Sequence, residues 1–189
     1  LERLASYEIA QIAPSHGPIY EDPGFILDAY KDWISETPKN IVVLPYISMH
    51  GSTKLMVDRL VDRLSEHGVE VHQFDLSATD IGKLAISLVD AATIVIGVPT
   101  VHGGPHPNVA YAATLANALR PKSKHVALIG SYGWGEKGTI DKLVAAIPSL
   151  KVDVLDTVFH KGLPTEETYQ KIDELAMTIA NKHREMGYK

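Results

Sequence analysis

The sequence predicts an α/β domain, a three-layer sandwich whose middle layer is a five-stranded parallel sheet in the order 2-1-3-4-5. From Asn40 onward, strand-like and helix-like segments alternate with short breaks. In a compact domain that alternation implies a parallel sheet covered on both faces by right-handed crossovers. Three segments, Ile41–Leu44, Thr93–Ile96 and Val126–Ile129, are nearly continuous apolar runs, as required of strands buried on both faces. These most apolar strands belong in the middle, which favours 2-1-3-4-5 over orders that leave the first strand at an edge.

Each element follows from its own pattern. After the first strand, Met56, Val57, Leu60, Val61 and Leu64 recur at helical spacing between Thr53 and His67, and Gly68 ends the run. Val69 to Phe74 is the second strand. A weaker helix, Ile81 to Val89, carries Leu84, Ala85 and Leu88 on one face. The third strand, Thr93–Ile96, precedes a small-residue helix from Val109 to Leu119, and the fourth, Val126–Ile129, precedes a helix from Thr139 to Ile147. Asp153 and Asp156 interrupt the fifth strand, Val152 to Phe159, which suits a partly exposed edge. The last helix, Glu166 to His183, buries Ile172, Leu175, Ala176 and Ile179. No internal repeat or low-complexity segment is evident.

A chain of 189 residues, 45% hydrophobic and 22% charged, can build a real core and is not disordered by composition. Its formal net charge of −5 gives no footprint for nucleic acid or an anionic membrane surface. Without cysteine there is no disulfide and no thiolate-held metal or iron–sulfur cluster, which is compatible with a cytoplasmic setting. No apolar run approaches the roughly 20 residues of a spanning helix. The chain opens at Leu1 rather than Met and has no signal-peptide pattern, as expected of a processed or truncated product.

Ligands of open α/β sheets sit beyond the carboxyl ends of the strands, where the strand order reverses. Three unusual loops meet there. The first, Ser48-Met49-His50-Gly51-Ser52-Thr53, places three hydroxyls around a glycine directly before a helix. Helix-start amides and hydroxyls together can wrap a phosphate without a basic side chain. A simple helix cap needs only one such hydroxyl. A nucleoside-triphosphate loop is excluded, because Lys54 follows Ser52-Thr53 rather than preceding them.

The second loop, Pro99-Thr100-Val101-His102-Gly103-Gly104-Pro105-His106-Pro107, pairs glycines that admit a flat ligand with prolines that hold shape; a rigid surface turn reads equally well. The third, Ser131-Tyr132-Gly133-Trp134-Gly135, sets two aromatics among glycines, suited to stacking on a tricyclic ring or packing on a neighbouring subunit. Gly133, Gly135 and Gly138 also spell a dinucleotide fingerprint, but after the fourth strand instead of the first.

With the element order, these loops resemble flavodoxins. The segment Ile12-Ala13-Pro14-Ser15-His16-Gly17-Pro18-Ile19-Tyr20, upstream of the first strand, narrows the likeness to the C-terminal flavodoxin-like domain of flavodiiron proteins (A-type flavoproteins). In that family a similar Ser-His-Gly-Pro stretch closes the preceding metallo-β-lactamase-like domain, and its histidine is a diiron ligand. The resemblance covers essentially the whole chain. It implies that residues 1–38 are the tail of that preceding domain plus a connecting helix over Pro23–Glu36, with Ile26, Tyr30, Trp33 and Ile34 on one face. Residues 39–189 are then the FMN-binding domain.

The resemblance further implies an FMN cofactor for electron transfer. Ser48, Met49, His50, Gly51, Ser52 and Thr53 would hold the phosphate. Pro99, Thr100, Val101, His102, Gly103 and Gly104 would enclose the isoalloxazine with Ser131, Tyr132, Gly133, Trp134 and Gly135, and Tyr132 and Trp134 would stack on it. No catalytic acid or base is assigned. The implied donor is rubredoxin, a reduced deazaflavin or a nicotinamide-linked reductase. The implied acceptor is a diiron site reducing dioxygen or nitric oxide, on the opposite subunit of a head-to-tail dimer, so the protein is expected as a homodimer or higher homo-oligomer.

His16 would ligate iron only in an intact diiron protein. The other family ligands are absent from this chain, which alone is not expected to reduce dioxygen or nitric oxide. Ser48 and His50 depart from the usual flavodoxin first loop. His102 and His106 are expected near the flavin, and the remaining histidines, His160 and His183 among them, at the surface. Two rival readings are a self-contained flavin-dependent quinone or NAD(P)H oxidoreductase and a non-enzymatic phosphate-binding or receiver-like module. The clustered acids of a receiver are missing after the first strand.

Overall fold

Strand β1, Lys39–Tyr46, occupies the middle of the sheet in the computed structural model, which describes residues 2–4, 6–135 and 137–188. It pairs in parallel with β2 (Glu70–Asp75) on one side and β3 (Ala91–Val101) on the other. A two-residue strand, β4 (Gly104–Pro105), folds back antiparallel on the end of β3. Beyond β3 come β5 (His125–Tyr132) and β6 (Asp153–Lys161), both parallel. The order β2-β1-β3-β5-β6 is the expected 2-1-3-4-5 for the five long strands, with β4 as an addition that no apolar run announces.

The chain divides into two units, Leu1–Thr37 and Pro38–Lys189. In the second, alternation along each strand sends side chains to two separate cores. Val42, Leu44, Val95 and Ile129 pack on one face with α2 (Ser52–Glu66) and α6 (Glu166–Glu185). Val43, Ile94, Ile96 and Leu128 pack on the other with α3 (Ile81–Leu88), α4 (Pro107–Leu119) and α5 (Lys137–Ala145). Arg59 on α2 clamps α6 through a bidentate pair with Asp173, at 2.7 and 2.6 Å. β6 lies at the edge, and a register shift between its partners Val126 and Leu128 marks a bulge, as its two aspartates suggest.

In the first unit an isolated antiparallel bridge, Ile12 to Tyr20, closes the loop that carries His16, which is exposed. Helix α1 (Pro23–Ile34) starts on Asp22, whose carboxylate accepts the Gly24 N–H at 3.0 Å. It stops before Glu36, with Ser35 extended ahead of Thr37-Pro38, since a residue preceding proline avoids the helical region. Of its expected apolar face only Ile26 is buried; Tyr30, Trp33 and Ile34 are exposed. Among the described residues no helix is long and apolar enough to cross a membrane.

Two histidines correct the expectation of surface positions. His183, on the last turns of α6, is 1% exposed at the amino end of the sheet. Its Nδ1–H donates to Asn40 Oδ1 at 2.7 Å, and its Nε2 accepts from the Thr93 hydroxyl at 2.8 Å. Burial, with His125 adding to it, pulls its pKa down to about 4. His125 is also buried, and desolvation lowers its pKa against the opposing pull of Asp153. Helical periodicity reached His183, whereas His125 lies one residue before the strand expected from Val126 to Ile129; the polar character of both suggested solvent.

Candidate functional site

Register brings the loops together. Tyr46 pairs with Gly97, Pro99 with Ser131, and Tyr132 with Lys161, so the chains leaving β1, β3, β5 and β6 emerge side by side at the carboxyl edge. There they surround a cleft of about 730 Å³, within the range of small-molecule sites, ~300–1,000 Å³. Gly130 makes the close spacing possible. A Cβ there would fall 1.9 Å from the Val98 carbonyl oxygen, so a larger residue would push β5 away from β3 just below the cleft.

The first loop enters α2 through Gly51, in the left-handed conformation at φ 86°, which a side chain would strain. Gly51 supplies no side-chain cap, so the helix begins at the cleft with the Ser52 and Thr53 amides, ahead of the Lys54 amide that a loop hydroxyl takes. Ser48, Met49, His50, Ser52 and Thr53 line the cleft, while Gly51 shapes the turn behind them. Ser48 Oγ accepts the Lys54 N–H at 3.2 Å, closing the loop on the helix. Thr53 is buried and its hydroxyl meets Ser131 Oγ at 3.2 Å, tying the first loop to the third. Lys54 turns to Asp58, at 2.7 Å, and is not part of the cleft wall.

Pro99, Thr100, Val101, His102 and Gly103 form a second wall. Gly104 is buried beside them, against Lys142. His106 is not in the cleft: its Nδ1 accepts the Asn108 N–H at 3.2 Å and caps α4. Ser131, Tyr132, Gly133 and Trp134 make the opposite wall, with Tyr132 half-buried and Trp134 89% exposed at the rim. Gly135, at φ 72°, turns the chain away toward α5 without lining the cleft.

No family model matches the chain. It is 36% identical over 176 residues to the nitric oxide reductase of Moorella thermoacetica, an alignment covering 91% of this chain and 44% of that protein. The solved rubredoxin oxygen:oxidoreductase of the anaerobe Desulfovibrio gigas superposes with a TM-score of 0.89 at 27% identity, covering 100% of this chain and 48% of the other. A flavodoxin-like domain from a Synechococcus protein superposes at 0.62 and 26% identity, covering 76% of this chain and 99% of that one.

The chain is a flavodoxin-like domain of the flavodiiron family. It spans about half the length of the curated relatives it matches. FMN is the cofactor of such a domain, and the family's diiron centre belongs to the other domain. The biochemical role common to this family and this fold is FMN-type electron transfer. The donor set of the flavodoxin-like cleft fits that cofactor. An uncapped helix start and three hydroxyls suit a phosphate, and a largely apolar slot beyond them suits a flat ring.

Two cleft residues escaped sequence reasoning. Gly162 and Leu163 follow β6 and form a fourth side of the opening, where the Gly162 N–H donates to the Tyr132 carbonyl at 3.0 Å. The segment Lys161-Gly162-Leu163-Pro164 carries no hydroxyl or aromatic and reads as an ordinary strand-to-helix turn. The available signal was topological: a strand placed beside the fourth must deliver its loop next to the third loop. Among the described residues no three His, Cys, Asp or Glu side chains gather as a metal site.

Proposed function

We propose that this chain is the FMN-carrying part of a flavodiiron oxidoreductase, receiving electrons from a reductant and passing them to a diiron site that reduces dioxygen or nitric oxide. The observation that carries the reading is the uncapped, hydroxyl-lined start of α2 opening into an apolar cleft. FMN, when bound, supplies the redox chemistry; the protein supplies position and electrostatics. The amides of Gly51 to Thr53 and the hydroxyls of Ser48, Ser52 and Thr53 hold the phosphate, with the helix dipole in place of a cationic side chain. Pro99 to Gly103 and Ser131 to Trp134 enclose the ring, with Gly104 and Gly135 shaping those loops from outside. A ring seated there covers Trp134, whose exposure is otherwise a poor use of a large apolar surface.

The names of the two flavodiiron relatives support rubredoxin as a donor and oxygen or nitric oxide as the substrate. A reduced deazaflavin and a nicotinamide-linked reductase are donors of matching function. In the same reading the protein works in the cytoplasm as a homodimer. Residues 1–38 are the tail of the metallo-β-lactamase-like domain with its connecting helix, and His16, exposed on its bridged loop, is an iron ligand of the longer protein.

The test is a visible spectrum of the purified chain with identification of any extracted flavin, followed by parallel titrations with FMN and riboflavin. FMN should bind and quench tryptophan fluorescence, with riboflavin much weaker because it lacks the phosphate. Saturating FMN that leaves both fluorescence and melting temperature unchanged defeats the proposal.

A further inference from the structure

The turn between β3 and β4 is built from two residues in the left-handed region, His102 at φ 49° and Gly103 at φ 71°. Glycine adopts that conformation freely, but a residue with a Cβ, such as histidine, is strained in it. The hairpin that closes the turn is short. Thr100 pairs with Pro105 and Val101 with Gly104, and Pro105 has no N–H to give. So small a ladder is a weak hold for a strained turn that forms one wall of the cleft.

Helix α5 supplies the missing restraint from outside the cleft. The Thr139 hydroxyl, on a fully buried residue, meets Thr100 Oγ1 at 2.8 Å. Lys142 Nζ donates to the Gly103 carbonyl at 3.2 Å. The stem of Lys142 lies against Gly104, where an added Cβ would come 3.3 Å from Lys142 Cδ. Gly138 packs so near that its own Cβ would sit 2.8 Å from the Gly103 oxygen. Gly138, Thr139 and Lys142 are spaced to share one helix face, so a single rigid element touches the turn in several places.

We infer that α5 is a clamp on the His102–Gly104 turn, with Lys142 and Thr139 as positioning residues that set the flavin-facing wall and hold a fixed positive charge behind it. The inference rests on the FMN reading above. It assigns a role to residues that do not line the cleft. A cation held at the Gly103 carbonyl favours added negative charge in the adjoining cleft, so its loss should make reduction of bound flavin harder.

The experiment compares the wild-type chain with Lys142→Met, Lys142→Arg and Thr139→Val. It measures FMN affinity, the midpoint potential of the bound flavin, and amide hydrogen exchange across residues 101–104 without flavin. Lys142→Met should bind FMN about fivefold more weakly, the size expected when one charged hydrogen bond is lost indirectly. Its potential should move negative and its turn amides exchange faster. Lys142→Arg should restore the potential, since it keeps the charge and the donor. Thr139→Val should speed exchange and weaken binding without moving the potential as far. Affinity and potential unchanged in Lys142→Met overturn the inference. If the wild type itself fails to bind FMN, the functional reading falls instead, and the exchange comparison alone then decides whether Lys142 holds the turn.

Discussion

The two ends of the sheet solve opposite problems. At the carboxyl end, four loops leave the strands with glycines at the turns, an uncapped helix start and an aromatic side chain in solvent. At the amino end most polar groups are paired within the protein, buried His125 Nδ1 being an exception: Asn40, His183 and Thr93 form a chain of hydrogen bonds, Ser123 Oγ donates to the Ala91 carbonyl at 2.7 Å, and Lys39 and Lys122 hold Asp90 at 2.8 and 2.7 Å. Burial pushes the Asp90 carboxyl up, but the two lysines outweigh it and leave its pKa lowered. Polar residues at one end face an open cleft; at the other most have each other. Stability and binding are therefore separable along the strand axis.

The largest expected effect is at the closed end. His183→Ala leaves Asn40 and Thr93 buried without their shared partner, and should cost about 3 kcal/mol of unfolding free energy, measured by urea denaturation, while FMN affinity stays within twofold. A binding loss as large as the stability loss would break the separation.

The pH dependence follows from the same residue. His183 has a folded pKa of about 4 against an ordinary value of 6.5. Between those values the unfolded chain binds the extra proton, so stability is full above pH 6.5 and falls as pH drops toward 4. The loss amounts to about 3 kcal/mol across the window. Denaturation midpoints at pH 7 and 4.5 check it, and a His183→Gln chain should lose most of the slope.

At the open end, Ser52→Ala should weaken FMN binding about tenfold by removing one charge-assisted hydrogen bond, with the flavin-free melting temperature nearly unchanged. Riboflavin affinity should not respond, which localises the effect to the phosphate.

The smallest effect lies between the two ends. Hydrogen bonding from Arg59 lowers the pKa of Asp173, so the pair stabilises above the ordinary carboxylate range and its contribution fades as pH falls through the lowered value. Both groups are about a third exposed and solvent-screened. Asp173→Asn should therefore cost below about 1 kcal/mol at pH 7 and leave flavin binding untouched.

Much of this division was legible in the amino acids. Continuous apolar runs located β1, β3 and β5, and the aspartates of β6 marked it as an edge, because burial on two faces and burial on one leave different spellings. Hydroxyls, glycines and aromatics identified three of the four cleft loops. What escaped was decided by neighbours in space. Gly162 and Leu163 matter because β6 lies beside β5. His106 is drawn to the Asn108 amide and His183 to Asn40 and Thr93, partners that no local pattern reveals. β4 exists because the end of β3 doubles back through two left-handed residues, a turn too short to leave an apolar signature.

The hydrogen bond between Thr53 and Ser131 has a consequence for anyone rebuilding this protein. It fastens the first cleft loop, after β1, to the third, after β5, although β3 lies between those strands. Neither loop can be transplanted singly from a relative without disturbing the one it leans on. Engineered changes in nucleotide preference and in redox tuning must accordingly be made as a matched set.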